Sequence, residues 1–121
     1  MNVISSTAPT TTLWRPTGPA ELALVEASGW TAWPARLPDQ PIFYPVLNRA
    51  YAVQIARDWN VPADGSGFVT RFEVVTVYLA EYEVQQAGGR TILEYWIPAG
   101  DLERSNANIV GPIVVTDTFT R

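Results

Sequence analysis

One carboxylate interrupts an otherwise apolar and aromatic run. Glu94 stands between Ile92-Leu93 and Tyr95-Trp96, just ahead of Ile97-Pro98. These neighbours favour a pleated strand. A lone charge there either points to solvent from a half-buried strand or faces a cleft, because an unpaired charge in a core is costly. A carboxylate facing a cleft can move a proton or steady a developing positive charge. Few other groups are available to share that work. The 121 residues contain no Cys and no His. Disulfides, zinc sites built on Cys or His, thiol nucleophiles and Ser-His triads are therefore excluded within them. Any general acid or base must be Asp, Glu or Tyr.

The cations are equally restricted. There is no Lys, net charge is −4, and the eight Arg residues are scattered. A nucleic-acid backbone needs a clustered basic face, so such a partner is not expected. A single Arg can still hold a phosphate or carboxylate bidentately. Arg15 is placed for this in a short strand, Leu13-Trp14-Arg15, which Pro16 keeps extended. Its alternative is an ordinary surface ion pair. Tyr44 ends a second short strand, Ile42-Phe43-Tyr44, closed by Pro45. Its ring could stack on a ligand or pack in a core.

These residues need a frame, and the hydrophobic content of 47% is enough for one core in one domain. Residues 1–12 read as a flexible leader, and 13–121 as a single domain. The leader lacks a signal-peptide pattern, and no apolar run is long enough to span a bilayer. The absence of Cys fits a cytoplasmic setting. Pro19 at a first helical position and Gly29 as a left-handed stop predict a helix over 19–28. The Pro-rich segment 30–41 predicts a loop. Asn48 predicts a cap for an amphipathic helix over 49–59, with Tyr51, Ala52, Ile55, Ala56 and Trp59 on the core face. Asn60-Val61-Pro62 is expected to end it. The 68–75 segment alternates as a strand. Residues 76–82 either continue this strand or form a short helix capped by Thr76, the helix being preferred because Val77, Leu79-Ala80 and Tyr82 do not alternate cleanly, and residues 83–86 lead to a Gly88-Gly89 turn. A central strand over 91–97, a helical turn over 98–104, a loop over 106–111, a last strand over 113–116 and a tail over 117–121 complete the chain. The class is α+β: a bent, mostly antiparallel sheet with two or three short helices, packed to one side.

The order Arg15, Tyr44, Glu94 resembles the ADP-ribosyltransferase fold. Leu13-Trp14-Arg15 followed by Glu21-Leu22 resembles the opening of bacterial members. Ile42-Phe43-Tyr44 before a long helix, and Glu94-Tyr95-Trp96-Ile97-Pro98 late in the chain, resemble its later elements. The chain is similar to small stand-alone bacterial proteins described as ADP-ribosylation/crystallin J1. The glycohydrolase sense of that term implies an Asp-rich metal site, which this sequence lacks. The resemblance implies a toxin-like mono-ADP-ribosyltransferase that uses NAD as substrate and needs no metal. Arg15 and Trp14 would belong to the NAD site, with Arg15 on the diphosphate or the nicotinamide ribose. Tyr44 would stack on the nicotinamide, and Glu94 would stabilise the oxocarbenium-like charge. The resemblance leaves the acceptor of the ADP-ribose open, a protein being one candidate, and implies a bacterial cytoplasmic setting, with secretion as an effector left open.

Three departures accompany the resemblance, the first being Arg15 where some relatives have His. The middle strand reads Phe68-Val69-Thr70-Arg71-Phe72 where Arg-type members carry Ser-Thr-Ser, and Ile92 stands where many have a second acidic or amide residue. The same fold serving as a non-catalytic binder of nucleotide, ADP-ribose-like ligand or protein is thus the alternative. A third reading takes Trp14, Trp30 and Trp33 as a carbohydrate-stacking surface.

Overall fold

The computed structural model describes residues 8–88 and 92–121. Gly89 and Thr91, within the predicted turn and the start of the predicted 91–97 strand, lie outside them, as does most of the predicted leader. β1 (Thr10–Thr17) begins three residues before the predicted strand, since Thr10-Thr11-Thr12 is β-branched and pairs across to Val75, Val74 and Glu73. β1 lies antiparallel to β3 (Ser66–Val75), and β3 lies antiparallel to β7 (Ile109–Thr120). The predicted 106–111 loop and 117–121 tail are largely absorbed by α5 and β7. Their polar residues are held by pairing with β3, from Val74↔Ile109 to Ser66↔Thr120. Register shifts at Val69/Thr70 and Arg71/Glu73 bend this ladder.

On the other side of β1 a single residue continues the sheet. Val46 bridges Trp14 in β1 and Glu94 in β5 (Leu93–Tyr95). β5 pairs with β4 (Val84–Gln86), a strand hidden in what reads as a polar lead-in to the turn. A separate pair joins β2 (Ile42–Phe43) to β6 (Ile97–Pro98). The predicted 91–97 strand is thus two strands broken at Trp96.

α1 (Pro19–Ala27) ends as predicted, with Gly29 at φ 79°. Trp30 follows at φ 64°, a conformation a bulky side chain seldom adopts. α2 (Arg49–Ile55) is capped by Asn48, whose Oδ1 accepts the Tyr51 N–H at 2.8 Å. Asn48→Ala should cost about 1 kcal/mol. That is a drop of roughly 4 °C in Tm, readable by thermal circular dichroism. A smaller change would mean the helix start is held by packing alone.

The helix does not stop at 60–62. It passes through a π-helical turn (Ala56–Asn60) into α3 (Val61–Asp64). Pro62 sits in the first turn of α3, where a missing N–H is tolerated. An α-helix would return Trp59 to the face of Ala52. The π turn holds one extra residue, so Trp59 is 72% exposed instead of packed in the core. Asn60 takes the inward place. Gly67 lets β3 lie directly against this turn, because a Cβ there would collide with the Ala56 carbonyl.

α4 (Thr76–Leu79) forms where a short helix is expected, but Thr76 does not cap it. Its Oγ1 pairs with Thr11 Oγ1 at 2.8 Å instead. A 3-10 turn (Ala99–Asp101) leads into α5 (Leu102–Ala107).

Two clusters fill the interior. One joins Leu13, Val25, Trp33, Phe43, Phe72, Tyr78, Leu79 and Ile97. The other joins Val46, Ala52, Ala56 and Val69, with Trp14 and Tyr51 against it. Leu13 and Trp14 are consecutive in β1 and so point to opposite faces. α1 and α2 therefore cover opposite faces, which corrects the expectation of helices on one side only. The result is a single-domain α+β fold whose described ladders are all antiparallel. No helix among the described residues is long and apolar enough to cross a membrane.

At the end of the sheet Asp117 accepts from Arg49 Nε at 3.0 Å and Nη2, and from Thr116 Oγ1 at 2.8 Å. The Arg49 hydrogen bonds hold its carboxyl below the usual range. A depressed folded pKa adds stability that is full above the unfolded value and is lost as pH falls through the folded one. Asp117→Asn should thus be less stable than wild type near neutrality and equal to it by about pH 2 in urea titrations. A gap that persists in acid would assign the effect to packing.

Candidate functional site

Arg15 and Pro16 in β1, Tyr44 after β2, Val46, Tyr51 and Ile55 in α2, Asn60 in the π turn and Glu94 in β5 line one cavity of about 360 Å³. Arg15, Tyr44 and Glu94, far apart in sequence, are thus brought to one hollow. That volume lies near the lower end of ordinary ligand pockets. The Val46 rung sets the spacing. Trp14 and Glu94 flank Val46 on neighbouring strands, so β1 and β5 stand about two interstrand steps apart, roughly 10 Å.

Glu94 is 8% exposed, so the solvent-facing alternative does not hold. Its Oε2 accepts the Trp96 indole N–H at 2.7 Å. Oε1 has no donor among the described residues. The break at Trp96 between β5 and β6 allows this i,i+2 contact. The Trp96 ring also meets Tyr44 edge-on, with centroids 6.4 Å apart at 83°. One indole therefore orients the carboxylate and buttresses the phenol ring. Tyr44 is 42% exposed, and its ring stands at the wall and not in the core. The Tyr51 hydroxyl is pushed up in pKa by burial first and by the Glu94 charge second. It stays a neutral donor and acceptor beside the carboxylate.

Arg15 is not a surface pair. Its side chain is 11% exposed and forms a fork with Glu21, Nε to Oε2 at 2.6 Å and Nη2 to Oε1 at 2.9 Å. Its guanidinium lies over Phe43 at 4.7 Å and within 5.6 Å of Trp33. The Thr70 hydroxyl ties the Arg15 carbonyl at 2.8 Å. One edge of the fork is committed to Glu21, and Nη1 is the end left over.

Trp14 does not join the cavity lining and packs instead on the second core cluster. The carbohydrate-surface reading fails for a related reason. Trp33 is buried, Trp30 packs against the first cluster, and Trp14 is on the other face of the sheet. The three rings share no surface.

Asn60 is a site residue with no advance signal. Its side-chain Oδ1 is buried and has no hydrogen-bond partner. Helical periodicity placed Trp59 inward, and only the π turn exchanges the two. A second cavity of about 350 Å³, lined by Glu21, Leu24, Pro34, Arg36, Leu37 and Asp64 among others, also reaches Asn60. The two hollows meet at this side chain. Among the described residues no group of three or more acidic side chains is placed to hold a metal ion.

Comparison of the chain with known protein families, with curated proteins and with solved structures finds no match.

Proposed function

We propose that this chain is an NAD-dependent mono-ADP-ribosyltransferase-like protein. The observation that carries the reading is the convergence of Arg15, Tyr44 and Glu94 on one cavity, in the roles the sequence resemblance implies. The chemistry is cleavage of the bond between the ribose C1′ and the nicotinamide nitrogen. The leaving nicotinamide takes the bonding pair and becomes neutral, and an acceptor nucleophile then bonds C1′ and releases its proton. Glu94 accepts a hydrogen bond from a ribose hydroxyl and stabilises the positive charge that grows on the sugar. A carboxylate already oriented by Trp96 needs no reorganisation at that moment. Tyr44 gives the nicotinamide a ring face to lie against. Arg15 and its surroundings form the side on which the diphosphate passes.

The test is direct. The full chain is incubated with NAD, and free nicotinamide is measured by chromatography, with and without protein acceptors. Release above the spontaneous rate supports transfer or hydrolysis. A second reading keeps the same cavity for nucleotide binding without turnover. It is favoured by Ile92, which leaves no second acid beside Glu94 to activate an acceptor. Calorimetric binding of NAD with no nicotinamide release would select it. Absence of both binding and release would remove both readings.

A further inference from the structure

Two guanidinium groups share one aromatic platform, and only one of them has a carboxylate. Arg15 lies 4.7 Å from the Phe43 centroid and Arg36 lies 5.9 Å from the same ring. Glu21 forks onto Arg15. None of the ion pairs among the described residues includes Arg36, and its Nε is buried without a hydrogen-bond partner. A protein rarely holds two like charges against one ring with a donor unmet unless something else supplies the acceptor. Burial first, and then Arg15, lower the Arg36 pKa, while Glu21 and Tyr44 only partly oppose them. A bound anion would relieve both effects.

The position of Arg36 suggests which anion. It lines the second cavity, beyond Asn60 from Glu94. A phosphate cannot settle beside the buried Glu94 carboxylate, so the anionic part of a ligand belongs at the arginine end. Past Arg36 the lining is partly apolar, with Leu24, Pro34 and Leu37. Glu21 is already engaged with Arg15, and Asp64 is exposed to water. The lining therefore runs from the Tyr44 ring and the Glu94 carboxylate, past Asn60, to the Arg36 cation and a mixed aliphatic and polar end formed by Leu24, Pro34, Leu37 and Gln40. At the junction the unmet Asn60 Oδ1 offers an acceptor for a ligand hydroxyl or amino group.

We infer that Arg36 is the phosphate anchor of a two-chambered groove for a nucleoside diphosphate-type ligand, and that Arg15, locked to Glu21, is a positioning residue that fixes the platform. This rests on the NAD reading above and reassigns the diphosphate from Arg15 to Arg36.

The experiment is calorimetry on the full chain with three probes: ADP-ribose, adenosine and inorganic pyrophosphate. Arg36→Gln should bind ADP-ribose about ten- to a hundredfold more weakly. It should bind adenosine as wild type does and lose competition by pyrophosphate. Arg36→Lys should recover part of the loss, because it keeps the charge without the fork. Thermal melting of both variants separates a binding defect from a folding one, and if Arg36→Gln fails to fold, the Lys variant and pyrophosphate competition decide. ADP-ribose affinity within about twofold of wild type in Arg36→Gln would overturn the inference and leave the NAD reading standing. Pyrophosphate bound by wild type but not by Arg36→Gln, with no ADP-ribose binding, would keep the anion site and sink the NAD reading. No binding of either anion would overturn both.

Discussion

Glu94→Gln should lower nicotinamide release from NAD by about 10²–10³-fold, the loss expected when one preorganised electrostatic partner is removed from a transition state. The substitution is nearly isosteric. The amide oxygen can still accept the Trp96 N–H, now 2.7 Å from Oε2, so Tyr44 keeps its buttress. What is lost is the charge. The fold should not suffer. A buried carboxylate with one donor is costly to hold, and its neutral counterpart should melt at the same temperature or higher. NAD affinity should change far less than turnover, because charge appears on the sugar only as the bond breaks. Single-turnover release together with calorimetry separates the two. Equal rates in wild type and variant would remove Glu94 from the reacting centre, whatever the binding data show.

Phe43→Ala should be the most damaging single truncation near the site, at about 3–5 kcal/mol of unfolding free energy. Phe43 is 1% exposed and packs on Trp33 with centroids 5.7 Å apart. It also carries two guanidinium groups, and each such contact is worth about 0.5–2 kcal/mol when desolvated. Its loss leaves a cavity and, beside it, two cations without a floor. The urea midpoint should fall while the slope stays constant. Phe43→Leu should lose less stability but still weaken anion binding, since it fills space without a ring face. A change under about 1 kcal/mol for the Ala variant would show that the first cluster closes over the gap, contrary to the dense packing around this ring.

The fold was legible where local chemistry decides. Asn48 at the start of α2, Pro19 and Gly29 around α1, and the alternation of β3 each act over a few residues, and each appears where the sequence places it. The convergence of Arg15, Tyr44 and Glu94 was legible only through resemblance, since nothing in their spacing requires them to meet. What escaped depends on distant partners. Asp117 to Thr120 carries no strong strand pattern, yet β3 recruits it. Val84-Gln85-Gln86 looks polar and becomes a strand because Tyr95, Glu94 and Leu93 lie opposite. The fork of Arg15 onto Glu21, and its burial, depend on how α1 folds back on β1 and are not visible in the spacing. The π turn left no trace at all. Periodicity at 3.6 residues per turn assigns Trp59 inward, and one extra residue in the turn reverses Trp59 and Asn60.

The Val46 rung joins the halves of the molecule through very little backbone. Its own N–H and carbonyl both bond Trp14, at 2.8 and 2.9 Å, whereas Leu47 N–H reaches Leu93 and Tyr95 N–H reaches Pro45. The strand that bears Glu94 thus meets β1 through the backbone pairing of one intervening residue. Val46 is buried in one core cluster, and Tyr95 and Ile97 beside Glu94 are buried in the other, so both clusters hold this strand and fix the width of the groove. Amide exchange at Val46, Leu47 and Tyr95 would then slow together when the groove is filled, which makes these three protons a built-in gauge of occupancy.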